Sequence, residues 1–290
     1  MNSGKGYLMV LGGGICWATT GIFGTVLFRE GIDPLLVASG RLSLALLVFF
    51  LLLFFKYRSN LQLNLTELPR LLFFGFVGVA LFNVFYLQAI NLLGVSVAVV
   101  LLYTAPAFVI LFSRIYLKEM ITPLKVVALL LTVAGVVLVA GVYDPGRWIL
   151  DLRGIGLGLG AGLTFALVTV FSKVALRHHS DLTVTFYFIV IGAVFLALIR
   201  PPWLLLQEGL TPAAGLSLVA LAFVSTFLAY LLYVGGIKYL EAGRASIVAA
   251  VEPLAAFSLA ALFLGERLVT VQFVGFFCII AAVLLLVTKR

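Results

Sequence analysis

Two charged side chains stand where charge is expensive: Glu252 and Arg41 each lie inside a long apolar run. Glu252 sits ten residues into its run, about 15 Å along a helix. The other ten acidic residues occupy polar breaks or run ends. Arg41 follows Pro34 by seven residues, roughly 10 Å in. A carboxylate at that depth must face a cavity or a partner. Four roles are open to Glu252: counter-charge for a substrate amine, proton-coupling site, a helix-to-helix hydrogen bond, or a neutral group capping the backbone that Pro253 frees. Arg41 has three: binding a substrate carboxylate, snorkelling outward, or pairing with Glu252 as a lock. Together the two charges match the ends of a zwitterion.

Rings with a polar edge accompany them. Trp17, Tyr86, Tyr103, Tyr230 and Tyr233 fall within apolar runs, and such a ring can lie against an apolar or cationic solute while offering a hydrogen bond. The alternative for each is packing or interface anchoring. Asn83 and Gln88 add amide handles, or simple interhelical bonds. Pro106 and Pro253 each remove an N–H and free a carbonyl, which a membrane tolerates only where protein or water satisfies it. They read as hinges beside the site or as static kinks. The candidate substrate-binding set is therefore Trp17, Arg41, Asn83, Tyr86, Tyr103, Tyr230, Tyr233 and Glu252, with Pro106 and Pro253 as hinges.

Other signals carry less. Gly154, Gly156, Gly158, Gly160 and Gly162 mimic a nucleotide loop, but no strand precedes them; the four-residue spacing of Gly154, Gly158 and Gly162 instead suits close helix contact. His178 and His179 lack further ligands, and Cys16 and Cys278 lie in apolar runs with no metal-ligand spacing. No cofactor or metal is expected. Neither an HExxH helix, a nucleophile with its base, nor a P-loop is present. An intramembrane enzyme and an ATP-driven pump are disfavoured accordingly.

The elements that must position these residues follow from composition. Hydrophobic residues make up 64% of the chain and charged ones 10%, with a mean hydropathy of +1.26; soluble domains run about 45–50% and 25%. Such a chain belongs in a lipid bilayer, and a nucleic-acid binder is excluded despite the net charge of +8. Ten runs are long enough to cross: residues 7–28, 34–55, 70–91, 94–117, 122–142, 154–176, 181–199, 213–239, 242–264 and 268–288. The first reads as a true span rather than a cleaved signal, because Lys5 makes a weak n-region and no A-x-A site follows. With the N-terminus inside, thirteen Lys and Arg face the cytoplasm and five face out, Arg41 being within a span. Both termini are expected to be cytoplasmic.

The second half echoes the first. From Phe82 to Ala140 the chain can be laid on Ala229 to Val287 without a gap, pairing Tyr86 with Tyr233, Pro106 with Pro253 and Glu119 with Glu266, each pair 147 residues apart. Trp17 and Phe165 correspond at 148. Five spans per half is an odd number, so the copies must sit upside down relative to one another, an arrangement that places a transport site between them. The expected fold is all-α and integral to the membrane: ten helices as two inverted five-helix repeats, residues 1–145 and 146–290, around a central cavity. Glu119 and Glu266, at helix ends, are expected to cap or to stabilise gates.

Tyr103-Thr-Ala-Pro106 with Leu117-Lys-Glu119, and Val251-Glu-Pro253 with Leu264-Gly-Glu266-Arg267, resemble the paired signatures of the EamA family within the drug/metabolite transporter superfamily. Asp33-Pro34 with Arg41-Leu-Ser resembles its second helix, and Gly13-Gly-Ile-Cys-Trp17 its first. Lys118 departs from the pattern, standing where the family more often has Gly. The resemblance covers essentially the whole chain. It implies secondary transport of small metabolites, often export, with amino acids the leading substrates and peripheral fifth and tenth spans that could form a homodimer. Efflux of organic cations is the alternative, since a lone Glu among aromatic walls suits one. Phosphorylated solutes would want more buried cations than Arg41. The implied setting is the bacterial inner membrane, the partners a small-molecule substrate, the lipid bilayer and, through Glu252, a proton.

Overall fold

The computed structural model describes residues 3–56, 68–141, 151–264 and 269–288. Within them the chain is helical, and ten helices are long and apolar enough to cross a membrane: α1 (Ser3–Arg29), α2 (Pro34–Phe55), α3 (Leu71–Leu93), α4 (Val95–Leu117), α5 (Pro123–Ala140), α6 (Leu152–Ala175), α7 (Asp181–Ile199), α8 (Pro212–Ile237), α9 (Ala242–Phe263) and α10 (Thr270–Thr288). All ten expected spans are found within a few residues of their expected ends. Glu266 and Arg267 lie outside the described residues, as does the whole of 142–150 between the fifth and sixth spans.

Local chemistry explains where the helices begin. Asp33, Thr122, Asp151, Ser180 and Thr211 each accept a hydrogen bond from the N–H three residues on, and Pro34, Pro123 and Pro212 follow three of these caps, where a missing N–H costs nothing. Lys118 ends α4 in the left-handed region at φ 60°, a conformation Gly adopts without strain. The turn therefore keeps its geometry with a lysine in the glycine position.

Packing pairs the helices in a pattern that survives exchanging each helix for the one five places on. α1 packs on α8 and α9, and α6 on α3 and α4; α2 meets α7, α4 meets α9, and α5 meets α10. The helix irregularities obey the same 147-residue offset as the sequence. A π-helical stretch interrupts α3 at Phe76–Leu81 and α8 at Phe223–Leu228. α4 breaks at Tyr103 and Thr104, and α9 at Ala250, the position equivalent to Tyr103.

The glycine stripe of α6 is a contact surface. A Cβ at Gly154 would meet Leu93 at 2.6 Å, one at Gly158 would meet Leu101 at 2.6 Å, and one at Gly162 would meet the Leu101 and Leu102 carbonyl oxygens at 3.1 Å. Backbone cannot swing aside as a side chain can. Gly162→Val is expected to lower stability by about 3 kcal/mol, read as a drop of several degrees in the thermal midpoint in detergent. Gly156→Ala, which meets nothing within 4 Å, should leave the midpoint unchanged.

Candidate functional site

The broken helices carry the carboxylate. Glu252 lies in the first turn of the second α9 segment, Val251–Leu264, where the positive end of a helix dipole favours an anion. Across from it, Tyr103 marks the α4 break and donates its hydroxyl to Glu252 Oε2 at 2.9 Å. Both prolines begin a second segment rather than kinking a continuous helix: Pro106 stands in the first turn of Ala105–Phe112, and Pro253 follows Glu252. Thr104 Oγ1 donates to the Leu101 carbonyl at 2.6 Å, which also accepts the Thr104 N–H at 3.2 Å.

The π-helical stretches carry the guanidinium. Arg41, from α2, donates through Nη1 to Thr226 Oγ1 at 3.1 Å and through Nη2 to Asn83 Oδ1 at 3.0 Å. Thr226 lies inside the α8 π stretch, and Asn83 is the second residue after the α3 one. Each partner is itself anchored: Asn83 Nδ2 donates to the Val79 carbonyl at 2.7 Å, and Thr226 Oγ1 to the Leu221 carbonyl at 2.9 Å. Wide turns of this kind leave backbone carbonyls that such side chains occupy, and they recur at functional sites. Arg41 thus ties together the equivalent irregularities of the two halves.

A chain of rings runs through α1, α3, α6 and α8. Trp17 meets Tyr230 edge-on with centroids 5.4 Å apart, Tyr233 at 4.9 Å and Phe165 at 5.8 Å. Phe165 meets Phe82 at 5.9 Å, and Phe82 stacks on Tyr86 at 5.8 Å. Tyr233 shares a 2.9 Å hydrogen bond with Thr169. Trp17, Tyr230 and Tyr233 are buried. Arg41, Tyr86, Tyr103 and Tyr230 all lie within Coulombic reach of Glu252.

All eight residues expected to bind substrate therefore gather in one region. Of the three roles open to Arg41, direct pairing with Glu252 is not the one observed. Arg41 and Glu252 form no direct ion pair among the described residues; each is held by neutral partners instead. Gln88, unlike Asn83, is exposed on the flank of α3. Six residues were not anticipated as contributors: Thr226, Phe82, Phe165, Thr169, and Thr19 with Ser225, whose hydroxyls lie 2.7 Å apart. Ser225 and Thr226 fall 147 residues after Gly78 and Val79, and that polar departure within an otherwise matching apolar repeat was the available signal.

The chain is similar to known proteins. Over 245 residues the chain is 32% identical to an uncharacterized transporter of Archaeoglobus fulgidus, covering 82% of this chain and 85% of that one. It is 31% identical over 270 residues to the threonine/homoserine exporter RhtA of Escherichia coli strain K12, covering 91% and 87%. A crystal structure 18% identical in sequence shares the fold with a TM-score of 0.82, over 97% of this chain and 96% of the other. The EamA-like transporter family profile matches twice in tandem, at residues 4–141 and 152–288. With ten membrane-crossing helices and a repeated signature that spans nearly its full length, the chain belongs to the EamA-like transporter family.

Proposed function

We propose that the protein exports amino acids or related small zwitterionic metabolites across the bacterial inner membrane by alternating access. The observation that carries this reading is the pair of opposite charges, Arg41 and Glu252, near one another but each held by neutral hydrogen-bonding groups. A guanidinium with five N–H donors keeps donors for a substrate carboxylate, while Glu252 receives the ammonium. The chain of rings faces the substrate side chain. The similarity to an exporter named for threonine and homoserine supports the same class.

Residues 1–145 and 146–290 act in this reading as two inverted halves, with both termini in the cytoplasm. The helix exchange pattern and the tandem family match support the repeat. Rocking about the α4 and α9 breaks then moves the site from one face to the other, and Pro106 and Pro253 make those breaks hinge points. A proton replaces the ammonium on Glu252 during the empty return step, which couples export to the proton gradient.

Trp17, Phe165 and Tyr233 beside a carboxylate also suit an organic cation, and competition separates the two. In proteoliposomes holding the full chain, uptake of labelled threonine should be suppressed by excess unlabelled homoserine. An equal concentration of a lipophilic quaternary ammonium should leave it unaffected. Suppression by the cation alone would replace the amino-acid reading with drug efflux.

A further inference from the structure

At one end of the bundle the turns joining α4 to α5 and α8 to α9 are laced together by charge. Lys125, in the first turn of α5, has only 2% of its side chain exposed; its ammonium lies 3.1 Å from Glu241 and 3.6 Å from Glu119, and donates to the Met120 carbonyl at 2.8 Å. Glu119 in turn accepts from the Ala242 and Gly243 N–H groups at 2.8 and 3.3 Å, capping α9 from the other half of the chain. Glu241 also takes Arg244 Nε at 3.0 Å, and Arg244 continues to the Tyr7 hydroxyl on α1 at 3.3 Å and the Leu286 carbonyl on α10 at 3.4 Å. The network spans both halves.

The repeat supplies its own control. At an offset of 147 residues, Lys125 corresponds to Gln272, Glu241 to Gly94 and Arg244 to Val97. Three of the four charges therefore have neutral counterparts at the opposite end, where Gln272 donates to the Val139 carbonyl at 3.0 Å. The described ion pair at that end is Arg200–Asp33 at 3.5 Å, with side chains 44% and 42% exposed, a screened surface contact.

We propose that Glu119, Lys125, Glu241 and Arg244 form a one-sided latch. It holds shut the end that the Lys and Arg excess assigns to the cytoplasm. Opening there must part a buried cation from its anions, whereas the described ion pair at the other end, Arg200–Asp33, is exposed. The resting equilibrium is biased toward the form closed to the cytoplasm, and substrate on that side meets an open site only in proportion to the minor population. The proposal rests on the alternating-access reading but not on the substrate class.

The test is a distance measurement on the full chain in lipid nanodiscs without substrate. Spin labels go at M120C and K238C, on the two turns, in a background carrying C16S and C278S. The parent should show one short distance. Lys125→Met, and the milder Glu241→Gln at a half-exposed position, should add a longer distance, raising the open fraction about tenfold. Lys125→Arg should restore the parental distribution, and Gln272→Met should not change it. A well-folded Glu241→Gln with the parental distribution would overturn the latch, as would equal opening by Gln272→Met. Lengthened distances in a protein that moves no amino acid would support the latch while sinking the substrate reading.

Discussion

Glu252→Gln is expected to lower the initial rate of threonine counterflow in proteoliposomes about a hundredfold while leaving the thermal midpoint in place. The amide is isosteric, and its oxygen can still accept the Tyr103 hydroxyl that now reaches Glu252 at 2.9 Å, so the α4–α9 contact persists. What disappears is the charge proposed to answer a substrate ammonium. Losing one partner of a desolvated charge pair costs about 2–5 kcal/mol, and 1.4 kcal/mol is a factor of ten, which places the loss near a hundredfold. The same variant should abolish the response of flux to an imposed pH gradient, since the carboxyl is the group assigned to carry the proton. Tyr103→Phe keeps the charge and removes one hydrogen bond, so its loss should be nearer tenfold. Retention of wild-type flux and pH response by Glu252→Gln would remove the carboxylate from the mechanism and leave it a structural partner of Tyr103.

Much of this arrangement was legible before any coordinates. Ten runs of apolar residues can only be spans in a bilayer, because a helix of about 20 residues is what satisfies its own backbone there. The 147-residue offset was visible in Pro106 and Pro253, and the structure extends it to features that leave no compositional trace. Phe76–Leu81 is as apolar as the helix around it, so nothing in its residue types announces a wide turn, and only Ser225 and Thr226 set Phe223–Leu228 apart. The break at Ala250 is equally silent, since alanine is the best helix former; only its register with Tyr103 explains it. Partners of the two intramembrane charges were hardest to anticipate. An arginine and a glutamate in one bilayer suggest each other as partners, yet Arg41 is satisfied by Thr226 and Asn83 across 185 and 42 residues of sequence. Hydroxyls and amides are common in membrane helices, and their pairing depends on helix rotation that periodicity does not resolve.

Those partners also define what Arg41 does. Its planar fork holds one oxygen from α8 and one from α3 at the same time, which a lysine ammonium at the end of a flexible stem does not reproduce. If the remaining donors receive a substrate carboxylate, the effect of removing them must depend on whether the solute has one. Wild-type transport should therefore favour an amino acid over its decarboxylated amine by about a hundredfold, the worth of a charge-assisted hydrogen-bonded pair. Arg41→Met should erase that preference, with the amino acid falling to the level of the amine in competition against labelled substrate and the amine itself changing little. Arg41→Lys, which keeps charge without the fork, should restore only part of the difference. A purely structural arginine gives another pattern: both solutes would lose transport together, and the thermal midpoint would fall because Asn83 and Thr226 are left facing an apolar side chain. Equal losses for acid and amine would thus overturn the zwitterion reading, while an acid-specific loss would identify Arg41 as the residue that selects the carboxylate.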